Sequence, residues 1–118
     1  MKGELMLTQE ELFGKCPYAT AQKILSGKWA LIILHHLNGG TRRFNELQKL
    51  MPDITQATLT KQLRTLEQYK MIIRTVYPEV PPKVEYKLSE MGEDFSIVLD
   101  SLKVWGEKYI KTITKDKG

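Results

Sequence analysis

The sequence predicts a mainly helical fold with one small β-hairpin, an α+β arrangement, on three observations. Apolar residues recur at helical spacing in several segments that begin with a cap residue and end at glycine or proline. Two β-rich runs enclose a loop with three prolines in TVYPEVPPKVEYKL, residues Thr75 to Leu88. The chain has 118 residues and is 42% hydrophobic, which suffices for one domain with its own core.

Composition narrows the classes of protein that this chain could represent. A single cysteine, Cys16, excludes an intrachain disulfide framework and a cysteine-rich metal site. There is no apolar run of 18 residues, so we expect a soluble, cytoplasmic protein. The sequence also lacks a glycine-rich phosphate loop and a recognisable pair of carboxylates. We therefore expect no enzyme, no cofactor and no metal site.

The net charge of +4 arises in one central window. Residues Arg42 to Lys87 carry nine Lys and Arg against five Asp and Glu, whereas the rest of the chain holds nine of each kind. Positive charge concentrated in this way is expected of a surface that binds a polyanion. Solvated lysines that serve solubility would explain so small a net charge equally well.

Cap signals define the N-terminal helices. Thr8 and Glu11 form a capping box for a short helix that Gly14 ends. Cys16 and Pro17 suit the N-cap and the first position of the next helix, CPYATAQKIL. The following segment, KWALIILHHLNGG, is apolar around nearly its whole circumference, which predicts a buried central helix. Its adjacent histidines are expected to be structural.

A tight helical pair is predicted next. A strand fragment at residues 41–43 precedes the helix FNELQKLM, for which Asn45 is the predicted cap and Gln48 the reciprocal capping-box residue. Only Pro52 and Asp53 separate this helix from another that Thr55 caps. Helices joined by so short a turn must cross steeply.

The helix TQATLTKQLRTLEQY has two contrasting sides. Leu59, Leu63 and Leu66 form a stripe that should face the core. At about 100° per residue, the opposite side is small, polar and basic, and it carries no acid. Ordinary solvated helix faces mix both signs of charge, so we expect this side to bind an anion. Its residues are Ala57, Thr60, Lys61, Arg64 and Gln68.

The two C-terminal elements are a hairpin and a long helix. In the second strand of the hairpin, apolar and charged residues alternate, as a half-buried strand requires. Ser89 is predicted to cap a helix with a heptad stripe and more apolar surface than one small domain needs, which favours dimerisation. The alternative is a long core helix wrapped over the domain. The predicted interface residues are Phe95, Val98, Leu102, Trp105 and Tyr109.

This order of elements is that of a winged helix-turn-helix with a leading helix and a C-terminal helix that favours dimerisation. The helix after Thr55 is then the recognition helix, and the hairpin is the wing. We divide the chain into an N-terminal arm with a short helix (1–15), a DNA-binding winged helix-turn-helix (16–88), and a C-terminal dimerisation helix and tail (89–118).

Several motifs also resemble those of one family. They are CP near the start, GKW before the apolar helix, RRFNEL, LTKQLRTLE, and RTVYPEVPPKVEYKLSEMG from Arg74 to Gly92. Over roughly residues 16 to 106, the chain resembles the HxlR-type regulators, winged-helix proteins related to the MarR proteins. The resemblance implies a dimeric bacterial or archaeal transcription factor that binds a two-fold DNA operator. It also implies N- and C-terminal dimerisation helices, with the leading segment (1–15) and the last helix in contact with the dimer partner.

DNA contacts are expected near the start of the recognition helix and at its flanks. Lys61 and Arg64 can donate to guanine and Gln56 to adenine, although contact with phosphate or water alone is equally open for each. Of the adjacent arginines on the strand fragment, one is assigned to a phosphate and the other to an acid such as Glu46. The full set is Arg42, Arg43, Thr55, Gln56, Ala57, Thr58, Thr60, Lys61, Arg64 and Lys83.

Cys16 is the candidate sensor. An N-cap thiol lies at the positive end of the helix dipole, which favours the reactive thiolate. The family resemblance implies that a cysteine at this position senses oxidants or electrophiles. The alternative is a small, half-buried structural residue.

Other interpretations of function stay open alongside a DNA-binding repressor. A winged helix can bind protein instead of DNA. A regulator of this kind can also respond to a small non-covalent effector, held here in a cleft between the domain and the last helix.

Overall fold

A computed structural model describes residues 8 to 117 of the chain, with the side chains of residues 9, 116 and 117 left aside. The mainly helical fold with a small antiparallel sheet is confirmed. The elements within this range are α1 (Gln9–Leu12), α2 (Pro17–Ile24), α3 (Ala30–Asn38), β1 (Arg42–Arg43), α4 (Phe44–Leu50), α5 (Gln56–Gln68), β2 (Ile72–Tyr77), β3 (Lys83–Leu88), α6 (Glu90–Asp94) and α7 (Ser96–Lys117).

The sheet has the strand order β1-β3-β2, and both pairings are antiparallel. Tyr86 of β3 lies opposite Arg42 on one side and opposite Arg74 on the other. Directly paired residues share a face of the sheet, so these three side chains lie on the face that packs against the helices. Glu85 lies opposite Arg43 and Thr75 on the other face. The hairpin predicted from the sequence is therefore β2 and β3, and β1 extends it.

The core lies between α3, α4, α5 and the inner face of the sheet. Its best-buried members come from the leucine stripe of α5, which was predicted to face inward, and from α3 and α4. This packing fixes the rotation of α5 about its own axis, because turning the helix would expose the stripe. The fully buried side chains include Ile33, Leu34, Leu47, Leu59, Leu63 and Leu66.

Three predicted caps form as expected. The backbone N–H of Glu11 donates to the hydroxyl of Thr8 over 3.1 Å, and the carboxylate of Glu11 accepts from the N–H of Thr8 over 3.0 Å. Hydrogen bonding to Thr8 lowers the pKa of Glu11, and the backbone of Thr8 contributes more than its side chain. The hydroxyl of Thr55 accepts from the N–H of Thr58, and that of Ser89 from the N–H of Gly92.

The predicted cap of α4 is wrong by two residues. The helix begins at Phe44, so Arg43 is the N-cap residue in place of Asn45. The carboxylate of Glu46 accepts from the backbone N–H of Arg43 over 2.7 Å, which satisfies one of the unpaired donors at the helix start. Gln48 consequently has no capping role, and its side chain spans the turn to α5.

The burial predicted for α3 is correct on one side only. Ile33, Leu34 and Leu37 are buried, but Leu31 and Ile32 are 37% and 40% exposed. They line a shallow apolar cleft of about 260 Å³ together with Leu99 and Leu102 of α7 and neighbouring residues. The apolar circumference of α3 therefore serves two surfaces, the core and an open face beside α7.

The single helix predicted after Ser89 is divided in two at Phe95. The N–H of Phe95 is shared between the carbonyl groups of Met91 and Gly92, each 3.2 Å away, which tightens the turn. Phe95 packs against the core as a result. Gly92 is buried, and a side chain there would collide with the carbonyl of Met71 and with Leu88.

Among residues 8 to 117, no helix combines the length and the apolar character that crossing a membrane requires.

Candidate nucleic-acid interface

The turn between α4 and α5 sets the position of the predicted recognition helix. The N–H of Ile54 donates to the carbonyl of Met51 over 3.2 Å. The side-chain amide of Gln48 donates to the carbonyl of Ile54 over 2.6 Å, and Ile54 itself is buried. This cross-turn bond ties α4 to the start of α5, so the angle between the two helices is fixed by side chains as well as by chain length.

The outward side of α5 is exposed where the sequence predicted it to be. Gln56, Ala57, Lys61 and Arg64 are all exposed, and Gln68 continues the surface toward the helix C-terminus. Within the described residues, the predicted recognition face therefore presents amide and cationic groups to solvent.

Three threonines in this region have their hydroxyls in local hydrogen bonds. The hydroxyl of Thr55 donates to that of Thr58 over 2.8 Å, and the hydroxyl of Thr60 donates to the carbonyl of Gln56 over 2.9 Å. Thr58 and Thr60 are half-buried. These hydroxyls first stabilise the helix start, and contact with a thymine methyl would use the threonine methyl groups instead.

The two arginines of β1 have different surroundings. Arg42 is half-buried and its Nε donates to the carbonyl of His36, 3.4 Å away, near the C-terminal end of α3. Arg43 is exposed. The intramolecular partner of Arg42 is thus a helix carbonyl, whereas the sequence prediction named an acid such as Glu46. Burial lowers the pKa of His36, and the nearby positive charges of His35 and Arg42 lower it further.

Lys83 is the first residue of β3 and follows the loop at the tip of the wing. Its ammonium lies 4.8 Å from the ring centroid of Tyr77 and 3.4 Å from the carboxylate of Glu85. The loop beyond it, residues 78 to 82, contains Glu79 and no cation. Val80 at this tip is fully exposed. The wing tip is therefore apolar and weakly acidic, and the basic residue Lys83 lies on the strand next to the tip.

Sequence reasoning missed Arg74 as a site residue. A polar cleft of about 240 Å³ separates α5 from the sheet, and Thr60, Arg64, Glu67, Arg74 and Tyr86 line it. Alternation along β2 could have revealed this position, since Arg74 follows Ile72 by two residues and must share its inward face. The sequence prediction treats β2 only as a β-rich run and names Lys83 as the cation of the wing.

The apolar stripe of α7 lies largely at the surface. Val98 and Leu102 are 40% and 39% exposed, and Trp105 and Tyr109 are 62% and 54% exposed, with their rings stacked at 5.4 Å. Phe95, the remaining residue of the predicted interface, is half-buried against the core. Phe95 and Val98 also border an apolar cleft of about 230 Å³ beside α2, the cleft expected between the domain and the last helix.

Cys16 is the N-cap residue of α2, as predicted, and it is a half-buried free thiol. Its side chain makes no capping hydrogen bond, and its carbonyl accepts from the hydroxyl of Thr20 over 2.7 Å.

Comparison with known proteins decides the family. The model of the HxlR-like helix-turn-helix family matches residues 24–114. The chain belongs to the HxlR-like helix-turn-helix family. It is 52% identical over 103 residues to the uncharacterized HTH-type transcriptional regulator YdeP of Bacillus subtilis (strain 168), a match that covers 87% of this chain and 80% of YdeP. The family and its named relatives are transcriptional regulators and not enzymes.

Solved structures of similar proteins share the fold. The redox regulator HypR in its reduced form superposes with a TM-score of 0.79 at 39% identity, covering 84% of this chain and 98% of HypR. The reduced form of the transcriptional regulator YodB from B. subtilis gives a TM-score of 0.71 at 35% identity, covering 80% of this chain and 93% of YodB. The winged helix-turn-helix prediction is therefore confirmed.

Proposed function

We propose that this HxlR-like regulator binds a two-fold DNA operator as a homodimer, with α5 in the major groove and the β2–β3 hairpin beside it. The observation that carries the proposal is the exposed side of α5. It presents Gln56, Lys61 and Arg64 to solvent, and the buried leucine stripe prevents it from turning inward. A recognition helix needs these properties, because base edges are read by side chains that a rigid scaffold holds outward.

Dimerisation supplies the two-fold symmetry in this proposal. The exposed stripe of α7 would pack against its counterpart in a second copy and remove Leu102, Trp105 and Tyr109 from water. Each copy would then place one α5 in a half-site, with centres about 34–36 Å apart or at a multiple of this distance. Residues 1–15 would add contacts at the same interface. Residues 1–7 lie outside the described part of the chain.

We further propose that a thiol oxidant or electrophile acts on Cys16 and that the unmodified protein represses its target. Cys16 is the N-cap residue of an eight-residue helix and is partly open to solvent. HypR carries the description redox regulator. One structure of YodB is of the diamide-treated protein. These descriptions support a thiol response in this chain. If oxidation releases the protein from DNA, the reduced protein is the DNA-bound form, as a repressor that an oxidant relieves requires.

The first alternative is a winged helix that binds protein without DNA. Salt dependence separates the two functions, because each cation that neutralises a phosphate releases a counterion. DNA fragments that bind the pure protein would be selected from the source genome, and their affinity measured at several salt concentrations. A linear fall of log affinity with log salt concentration supports DNA binding. Failure to enrich fragments, together with an affinity that does not change with salt, contradicts it.

The second alternative is a small non-covalent effector. The apolar cleft bordered by Phe95 and Val98 has a volume of about 230 Å³, below the roughly 300–1,000 Å³ of most ligand pockets, so it could hold only a small molecule. In the proposed dimer, however, the same side chains lie next to the partner copy, so we assign the cleft to the dimer interface. Binding of apolar probes to the intact dimer would contradict this assignment.

A further inference from the structure

We propose that Arg64 and Arg74 together bind one phosphate of the DNA backbone in the cleft between α5 and β2, and that Glu67 limits how strongly they do so. This inference rests on the proposed DNA binding and adds to it a site on the inward face of the wing. The cleft borders the outward side of α5, with which it shares Arg64, and it lies apart from Lys83, the DNA contact predicted on the wing.

Helical geometry separates Arg64 from Lys61. At about 100° per residue, Arg64 points about 60° away from Lys61, toward the side of the helix on which Thr60 and Glu67 lie nearly in line with each other. Lys61 is accordingly on the side opposite the leucine stripe, and Arg64 lies on the flank that lines the cleft. When α5 lies in a major groove, the side of the helix opposite the leucine stripe faces the base edges, and the flank of the helix faces the wall of the groove.

The pairing of the sheet brings the second arginine to the same place. Arg74 is exposed and lies directly opposite Tyr86, a residue that is only 9% exposed and that also lines the cleft. Both residues are on the inner face of the hairpin, which looks toward α5. Two guanidinium groups from two different elements therefore border one cleft.

A backbone phosphate is the occupant that fits this cleft. The phosphate backbone lies between the major groove, where α5 would sit, and the adjacent minor groove, which the wing would follow. A planar guanidinium group can donate two parallel hydrogen bonds to two oxygens of one phosphate. Glu67 supplies one negative charge against the two arginines, so the cleft keeps a net positive charge smaller than two arginines alone would give. A carboxylate in this position weakens binding to every phosphate without regard to sequence, which favours discrimination through base contacts.

The first test measures duplex binding by Arg74→Ala between about 50 and about 200 mM salt, on a mixed-sequence duplex of about 30 base pairs. Removing one of the two cations that share this phosphate lowers the slope of log affinity against log salt by up to about 0.9, so the variant should lose affinity up to about three- to four-fold less than the wild type over this range. Lys87→Ala is the matched control. Lys87 is exposed one residue after Tyr86 on the opposite face of the sheet, and its removal should leave the slope unchanged.

The second test removes the acid. Glu67→Gln should raise affinity for the mixed-sequence duplex by roughly two- to five-fold, the range expected for an exposed charge pair. The control Glu90→Gln removes an exposed acid from α6, away from the cleft, and should change affinity less. This variant keeps the shape of the side chain, so its outcome does not depend on the folding of Arg74→Ala.

The outcomes separate this inference from the function on which it rests. If the wild type shows no salt-dependent affinity for duplex DNA, the proposed function fails and the phosphate site fails with it. If the wild type binds but Arg74→Ala keeps the wild-type slope, or Glu67→Gln binds no more tightly than Glu90→Gln, only the phosphate site is overturned.

Discussion

The side-chain amide of Gln48 donates a 2.6 Å hydrogen bond to the backbone carbonyl of Ile54 across the turn that joins α4 to α5. Ile54 is 3% exposed, so its carbonyl has little access to water as a substitute partner. A buried polar group without a partner costs about 1–3 kcal/mol. One side chain thus links the stability of the fold to the position of the proposed recognition helix.

Gln48→Ala is expected to lower the free energy of unfolding by about 1–3 kcal/mol, because the carbonyl of Ile54 would lose its partner. Asn45→Ala is the matched control, since Asn45 is exposed and does not cap the helix. It should change stability by about 0.5 kcal/mol or less. Urea unfolding at a fixed protein concentration measures both. A loss of about 1 kcal/mol in the control would restore Asn45 as the cap.

Substitution by alanine should have opposite effects on stability at two glycines in the C-terminal helices. A methyl group at Gly92 would collide with the carbonyl of Met71 and with Leu88, so Gly92→Ala should cost about 1–3 kcal/mol. At Gly106 of α7, nothing lies within 4 Å of an added methyl group. Gly106→Ala should therefore stabilise the helix by up to about 1 kcal/mol through helix propensity. Thermal unfolding distinguishes them, and equal effects would contradict the buried contact at Gly92.

Charge placed on the stripe of α7 should separate the proposed dimer. Leu102→Glu would bury a carboxylate between two copies, and we expect monomers at micromolar concentration together with loss of operator binding. Val104→Glu introduces the same charge about 160° away around α7, where Val104 is 67% exposed, and should leave the dimer intact. Sedimentation equilibrium measures both masses. A dimer in Leu102→Glu and a monomer in Val104→Glu would place the interface on the other side of the helix.

Oxidation should act through Cys16, the single cysteine of the sequence. With diamide, two thiols lose their hydrogens to the oxidant and form a disulfide, which here can join only two copies or one copy and a small thiol. We expect diamide to release the wild type from its operator and to leave Cys16→Ser bound. A gel under non-reducing conditions then shows whether two copies are joined. Normal release of the Cys16→Ser variant would assign Cys16 a structural role.

Local sequence signals predicted the fold well where one pattern had one explanation. The leucine spacing in α5, the caps at Thr55 and Ser89, and the alternation in β3 each have a single physical cause, and the structure agrees with all of them. The start of α4 was misplaced because Asn45 and Arg43 both stand before a suitable third residue, and only the path of the chain out of β1 decides between them. The break at Phe95 likewise depends on the packing of Phe95 against the core, which no local pattern encodes.

The candidate site was predictable from sequence to the extent that it lies on one helix. Lys61 and Arg64 follow from the position of the leucine stripe. Arg74 requires the register of the sheet, because its approach to α5 depends on pairing with Tyr86. The surroundings of Lys83 depend in the same way on Tyr77, its partner across the hairpin, and on Glu85. Residues that meet across elements were therefore the ones that the sequence did not reveal.

The most direct test of the central claim is a titration of operator fragments with Lys61→Glu, which reverses the charge on the outward side of α5. Lys87→Glu is the matched control, because it makes the same change at an exposed position on the far face of the sheet. Circular dichroism would first establish that both variants are folded. We predict that Lys61→Glu no longer binds the operator and that Lys87→Glu binds with an affinity close to that of the wild type. Wild-type affinity in a folded Lys61→Glu variant would contradict the assignment of α5 as the recognition helix.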